Sequence, residues 1–310
     1  MATLYLTHPV CLEHDTGPGH PERPDRLRAL YAALDHDIFK DLVREEAPSA
    51  ELEDLERAHP KAYIEAIKAA VPKEGLVRVD ADTTLSPKSW EAALRAVGAG
   101  QRAVDQVMTG KVANAFCAVR PPGHHALDSR AMGFCVFGNI ALAGLHARAN
   151  HGAERVAVVD FDVHHGNGTQ AMFWSDKDLY YASTHQMPLF PGTGAVDETG
   201  VGNVFNAPLR AGDAGEEFKE AFQTRILPSL DAFKPDLILI SAGFDAHKRD
   251  PLANIELVEE DFVWATQQLA ELADKHAEGR IVSMLEGGYD LQALANAGGM
   301  HVKTLMDAGS

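Results

Sequence analysis

Apolar residues recur along this chain in two rhythms. Short, nearly unbroken runs rich in β-branched and aliphatic residues lie at Leu4–Thr7, Ala115–Val119, Arg155–Asp160, Leu179–Ser183, Asp236–Ser241 and Arg280–Leu285, and such runs predict strands. Between them, apolar residues fall three and four apart. The clearest such stretch opens at Ser86–Pro87, an N-cap followed by a first-turn proline, carries Trp90, Leu94, Val97, Gln101, Val104 and Met108 at helical spacing, and stops at Gly110. Helices are also predicted over Glu22–Leu34, Pro60–Ala70, Gly138–Asn150, Glu216–Phe233 and Glu259–His276. Their Leu, Met and aromatic stripes are read as core-facing. Alternation of the two rhythms predicts βαβ units around a parallel sheet.

Segments 8–21, 120–133, 185–203 and 242–258 fit neither rhythm and are rich in Gly, Pro, His and Asp. Ligands of parallel α/β sheets sit on the loops beyond the carboxyl ends of the strands, so the chemistry is expected on these segments. No repeat, low-complexity tract or linker divides the chain, and one domain over residues 1–310 is expected.

Composition narrows the picture little: 45% hydrophobic and 24% charged residues describe an ordinary globular chain. No apolar run is long enough to cross a bilayer, and Met1–Val10 lacks a signal-type core, so a soluble cytoplasmic protein is expected, with no membrane partner. The three cysteines, Cys11, Cys117 and Cys135, show no CxxC spacing, which argues against disulfides and a cysteine zinc site. A formal net charge of −17 repels a phosphate backbone and makes cationic partners easier than nucleic acid.

The chemistry-bearing stretches follow predicted strands. In VAVVDFDVHHGNG, residues Asp160, Asp162 and His164 alternate while the chain stays extended, so all three can enter one pocket. Acids packed that closely raise each other's pKa unless a cation neutralises them, and a metal is the economical reading; the competing one is that Asp-x-Asp caps the next helix. Asp245, after the apolar run of LILISAGFDAH, would share the same sheet edge and complete a three-ligand set with Asp162 and His164, with His247 as a rival ligand. In VRPPGHHALD, adjacent His124 and His125 follow a stiff Pro-Pro-Gly turn and could move protons near neutral pH. In MLEGGYDL, Gly287–Gly288 can turn Tyr289 toward a pocket, where its hydroxyl could donate to an oxyanion. No Gly-x-Ser-x-Gly elbow, P-loop or dinucleotide fingerprint is present, and Cys135 is read as a buried thiol.

Taken in order, GHPERPDRL, RPPGHHA, MGFCVFGN, VDFDVHHGNGT, FPGTG, SAGFDAH and LEGGYDL make the chain resemble the histone deacetylase family. HPERP, and Asn167 after His-His-Gly, make it similar to the class II branch and its prokaryotic histone-deacetylase-like amidohydrolases. The resemblance implies an arginase/deacetylase-like three-layer α/β/α sandwich with a central, mostly parallel eight-stranded sheet. It implies one Zn2+ on Asp162, His164 and Asp245, and catalysis by His124, His125 and Tyr289, with Asp160 and Asn167 orienting the two imidazoles. It further implies K+ near Asp160, Asp162, His164, Ser183 and Thr184, with Phe173 marking an outer ion. An acyl tunnel is implied at Gly133, Phe134, Phe190 and Leu252, and an acetate channel at Arg26. Gly138, where many relatives have Asn, departs from the pattern at the start of a helix.

The activity so implied is hydrolysis of the acetyl amide of N-acetyl-lysine or a related acylated amine. An acetylpolyamine amidohydrolase is the alternative within the same chemistry, although Leu34–Glu74 is short for the extra loop such specialists carry. A binuclear manganese ureohydrolase would need further bridging His and Asp, and a non-catalytic acetyl-lysine-binding protein would lack Tyr289. The sequence leaves monomer and homo-oligomer equally open.

Overall fold

The computed structural model describes residues 1–310. Its strands are β1 (Thr3–Thr7), β2 (Val43–Glu46), β3 (Val77–Arg78), β4 (Thr84–Leu85), β5 (Asn114–Cys117), β6 (Val156–Asp160), β7 (Leu179–Gln186), β8 (Val204–Leu209), β9 (Leu237–Ala242) and β10 (Ile281–Leu285). Eight of them form one sheet in the order β2-β1-β5-β10-β9-β6-β7-β8, and every neighbouring pair is parallel rather than mostly so. The other two, β3 and β4, pair as a small antiparallel ribbon.

The central strands are apolar throughout because helices cover both their faces. Every residue of β6, β9 and β10 is buried. Helices Ser89–Met108 and Asn139–His151 pack together over one face, and Asp25–Leu34, Leu291–Ala308 and Glu259–His276 form the layer on the other. One hydrophobic cluster runs from Leu4 to Leu305 across these three layers.

Both sheet edges escape the periodicity reading. β2 has the sequence VREE and is largely solvent-facing, so it carries no apolar signal, and β8 contains Pro208, which an edge strand tolerates because one side of its ladder is free. The helix expected from Ser86 begins at Ser89; Ser86 instead forms a preceding turn whose N–H donates to Ser89 Oγ at 2.7 Å. The helix expected over Glu216–Phe233 contains a widened turn at Phe222–Ile226, next to Pro228, whose ring and missing N–H disturb the regular ladder. Helix Leu291–Ala308 carries Gly298–Gly299 in its interior and is not singled out by the sequence pattern; the Asp290 side chain caps it through Ala293 N at 2.8 Å.

Helix Asp25–Leu34 starts three residues later than expected because Glu22 is engaged elsewhere. Glu22 is fully buried between two fully buried arginines: Arg120 binds it through Nε and Nη2, the latter at 2.7 Å, and Arg26 Nη1 donates at 3.1 Å. Arg120 also donates to the carbonyls of Cys11 and His14, at 2.7 and 3.1 Å. Burial raises the Glu22 pKa, but the arginines outweigh it and hold the carboxyl at about 2. A folded-state value below the unfolded one stabilises the protein above the unfolded pKa, and that contribution disappears as pH falls toward about 2. Glu22→Gln is therefore expected to cost about 3–5 kcal/mol near neutral pH, because it leaves buried arginines without their anion. In denaturant titrations the stability gap between wild type and Glu22→Gln should be constant above about pH 5 and narrow below it. A gap that stays constant down to pH 3 would count against this assignment.

Candidate active site

The loops leaving the carboxyl ends of β5, β6, β9 and β10 converge. The chain stays extended beyond β6, and backbone amides orient the acids there. Asp160 Oδ1 accepts from Asp162 N at 3.1 Å, and Asp162 Oδ1 accepts from His164 N at 2.9 Å. Asp162 Oδ2 accepts from Gly287 N at 2.7 Å, and Asp245 Oδ1 accepts from Val163 N at 2.9 Å. What remains faces His164, whose Nδ1 lies 3.2 Å from Asp162 Oδ1 and 3.0 Å from Asp245 Oδ2. One ligand atom from each of Asp162, His164 and Asp245 thus falls within 4.8 Å of the others.

This spot demands positive charge. Burial alone would lower the His164 pKa, yet the two carboxylates push it up to about 10. A divalent cation meets the same demand with a three-donor set that leaves coordination positions open. Space is reserved as well: a side chain at Gly243 would collide with Asp162, and one at Gly287 would collide with the Asp245 and Asp162 carboxylates. The residues present fit a metal. His247 stands outside the set, its Nδ1 accepting from Arg249 N at 3.1 Å and its Nε2 facing Glu259 at 3.3 Å.

The two histidines of RPPGHHA stand side by side, ring centroids 4.0 Å apart, in different electrostatic settings. His124 Nδ1 bonds Asp160 Oδ2 at 2.9 Å. Burial opposes its charging, but Asp160, Asp162 and Glu286 prevail and raise its pKa well above the usual range. His125 Nδ1 lies 2.9 Å from Asn167 Oδ1, while Asn167 Nδ2 donates to His125 O at 3.3 Å. The amide oxygen can only accept, so Nδ1 carries the proton and Nε2 keeps a lone pair. Burial, together with the positive His124 and His164, lowers the His125 pKa well below normal. Of the pair, one imidazole is charged and the other is a neutral base.

A cavity of about 270 Å³ opens over these groups, lined by His125, His164, Gly133, Phe134, Phe190, Leu252 and Tyr289, with Leu189 and Asp82. Burial and the nearby carboxylate of Asp245 push the Tyr289 phenol well above its usual pKa, so it remains an O–H donor. Phe190 is 41% exposed at the mouth, with its ring 5.2 Å from that of His125. Phe134 sits 5.9 Å from the Tyr289 ring and has a left-handed φ of 68°, a strained backbone for a bulky residue. Gly133 beside it has a φ of 57°, and a Cβ there would strike the His125 ring.

Arg26 lies behind Tyr289. Its guanidinium is 4.9 Å from the phenol ring centroid, and it donates to the carbonyls of Gly288 and Glu286 at 2.6 and 2.5 Å. On the other side of Asp160, the β6–β7 register sets Ser183 opposite it, with Thr184 next along the strand and Phe173 fully buried. Cys135 is buried, its thiol bonded to Gly133 O at 3.3 Å and pushed well above its usual pKa by burial, so it is no nucleophile.

Two acids at the site escape the sequence reading. Asp82 precedes β4 and reaches the cavity rim, where it accepts from Gly133 N at 3.0 Å. Glu286 is buried beneath the histidine pair and accepts from Gly123 N and His124 N at 2.7 and 3.1 Å; burial raises its pKa to about 7. The glutamate preceding the Gly-Gly pair was the available signal for the second; nothing local marks the first.

Comparison with known proteins places the chain among similar ones. The histone deacetylase domain family matches residues 20–305. A histone deacetylase-like amidohydrolase of Pseudomonas aeruginosa is 40% identical over 310 aligned positions, covering 93% of this chain and 81% of that protein. A probable deacetylase of Archaeoglobus fulgidus is 36% identical, covering 94% and 82%. The crystal structure of the HDA15 HD domain superposes with a TM-score of 0.93 at 35% identity, covering 99% of this chain and 88% of that one.

The glycine at 287 gives the sharpest test of the ligand arrangement. Gly287→Ala is expected to weaken divalent-metal affinity about 10- to 100-fold by displacing Asp162 and Asp245, without unfolding the sheet. Competition with a chromophoric chelator measures this, and wild-type affinity in the variant would show that the two carboxylates do not set the metal site.

Proposed function

The chain belongs to the histone deacetylase family, and on that premise we propose that it is a zinc-dependent deacetylase of acetylated lysine or a related acylated amine. It is a deacetylase-type amidohydrolase by family; zinc, the lysine-like substrate and a cytoplasmic location are our own reading, as is one catalytic domain over residues 1–310. The observation that carries the proposal is the meeting of the Asp162–His164–Asp245 set, a neutral His125 beside a charged His124, and a protonated Tyr289 around one slot.

Zinc held by Asp162, His164 and Asp245 would supply Lewis-acid polarisation of the acyl carbonyl and of the attacking water. The chain's own groups do the rest. The flat faces of Phe134 and Phe190 hold the linear acyl-amine in the slot, with Gly133 and Leu252 completing its wall. His125 Nε2, aimed by Asn167, takes the proton of water as it attacks the carbonyl carbon. Tyr289 donates its O–H to the developing oxyanion, and His124, kept charged by Asp160, adds positive potential. His125 then returns the proton to the departing nitrogen, and the C–N bond breaks to give acetate and free amine. Arg26 offers the acetate a buried cation behind the slot. Asp160, Asp162, His164, Ser183 and Thr184 would hold an inner potassium ion, a role supported by their burial and by the β6–β7 register.

The segment Leu34–Glu74 folds as a 3-10 turn at Asp37–Phe39, β2 and two short α-helices rather than as a large loop over the slot, which favours lysine-bearing substrates over acetylpolyamines. Acetate release from acetyl-lysine peptides, acetylputrescine and acetylspermidine, side by side at equal concentration, tests this. A tenfold preference for peptides, about 1.4 kcal/mol in transition-state energy, is expected; the reverse preference would make the protein a polyamine amidohydrolase. Tyr289→Phe should lower kcat about 10²–10³-fold with metal content unchanged, and full turnover in that variant would remove the oxyanion role. Asn167→Asp should favour the imidazolium of His125 and move the acid limb of the kcat/KM profile to higher pH, and an unmoved limb would remove Asn167 as the group that keeps His125 neutral.

A further inference from the structure

A second set of ligand-type side chains lies far from the slot. Asp105 stands in the last turn of helix Ser89–Met108, and His146 and His151 stand in the last two turns of helix Asn139–His151. Each helix leads directly into a parallel strand, β5 and β6, so both end at the amino edge of the sheet, opposite the catalytic loops.

One carboxylate oxygen holds both rings: Asp105 Oδ1 is 2.7 Å from His146 Nε2 and 2.6 Å from His151 Nε2. The three donor atoms lie within 4.8 Å of one another, and the rings stand 5.8 Å apart at 58°, splayed around the same point. The His146 side chain is only 8% exposed, and its other nitrogen, Nδ1, is buried without a partner, so Nε2 makes its only polar tie. His151 and Asp105 are more open, which leaves room for water on one side.

The electrostatics point the same way. Two helix carboxyl ends converge here, each carrying the negative pole of its backbone dipole, and a carboxylate adds to them in a chain of net charge −17. Two imidazoles and a carboxylate form a donor set of borderline softness, suited to Zn2+, Co2+ or Ni2+ rather than to Ca2+ or Mg2+. We propose that Asp105, His146 and His151 form a second, non-catalytic site for a borderline divalent metal, which clamps the two helices together at the end of the sheet remote from catalysis.

The proposal is independent of the catalytic reading, and metal counting separates them. Tag-free protein dialysed against micromolar Zn2+ is expected to bind two equivalents, falling to one in His146→Gln/His151→Gln with kcat for acetate release unchanged. Asp162→Asn/Asp245→Asn should bind one equivalent that disappears when His151→Gln is added, and its Tm should rise with Zn2+ but not with Mg2+. Should that double variant fail to fold, the comparison between wild type and His146→Gln/His151→Gln answers the question alone. Zn2+ content that is the same in wild type and in His146→Gln/His151→Gln overturns the proposal, whereas a single wild-type equivalent that those substitutions remove would sink the catalytic zinc instead.

Discussion

The carboxylate of Glu22, held between two arginines inside the protein, is the constraint to which the site's architecture is tied. Taking three charges out of water is costly, and the arrangement is viable only because nearly every guanidinium donor finds an oxygen. Arg120 reaches Glu22 and the carbonyls of Cys11 and His14, while Arg26 reaches Glu22 and the carbonyls on either side of Gly287. Arg120 also begins RPPGHH, and the carbonyls held by Arg26 belong to EGGY. The histidine pair and the tyrosine, on the loops that follow separate strands, are thereby registered against one anion.

Within the pocket the balance of buried charge decides what each group can do. Asp160, Asp162, Asp245 and Glu286 are all buried within a few residues of the strand ends. They do not titrate alike: Asp162, bonded by His164 and facing His124, is held low, whereas burial raises Glu286 to about 7 and Asp160 to about 6. The carboxylates charge His124 and His164, and burial together with those two positive charges discharges His125, which receives only a neutral amide as its partner. Two chemically identical side chains, adjacent in sequence, thus acquire opposite protonation states from their neighbours alone.

What the sequence revealed and what it hid follow from the same physics. Strands β6 and β9 are buried on both faces, so their apolar runs stand out, and the acids that end them are anomalous enough to mark a site. Strands β2 and β8 lie at the edges, where a charged face and a proline are tolerated and the apolar signal vanishes. Asp160, Asp162 and His164 share a face through local alternation, which can be read; Asp82 reaches the rim only through the fold of a two-residue ribbon, which cannot. Asp105 is separated from His146 and His151 by some forty residues, and only the packing of two parallel helices brings them together.

The strand order carries a consequence for the birth of the molecule. β10, near the carboxyl terminus, lies between β5 and β9, which do not touch each other. As the chain leaves the ribosome, β2-β1-β5 and β9-β6-β7-β8 can assemble only as two half-sheets, each with a bare inner edge, until Ile281–Leu285 emerges and joins them. Those edges stay unpaired while the roughly forty residues between β9 and β10 are added, so the nascent chain is at its most adhesive over that interval. Tyr289 follows that same joining strand, so closing the sheet and completing the wall of the slot are a single event.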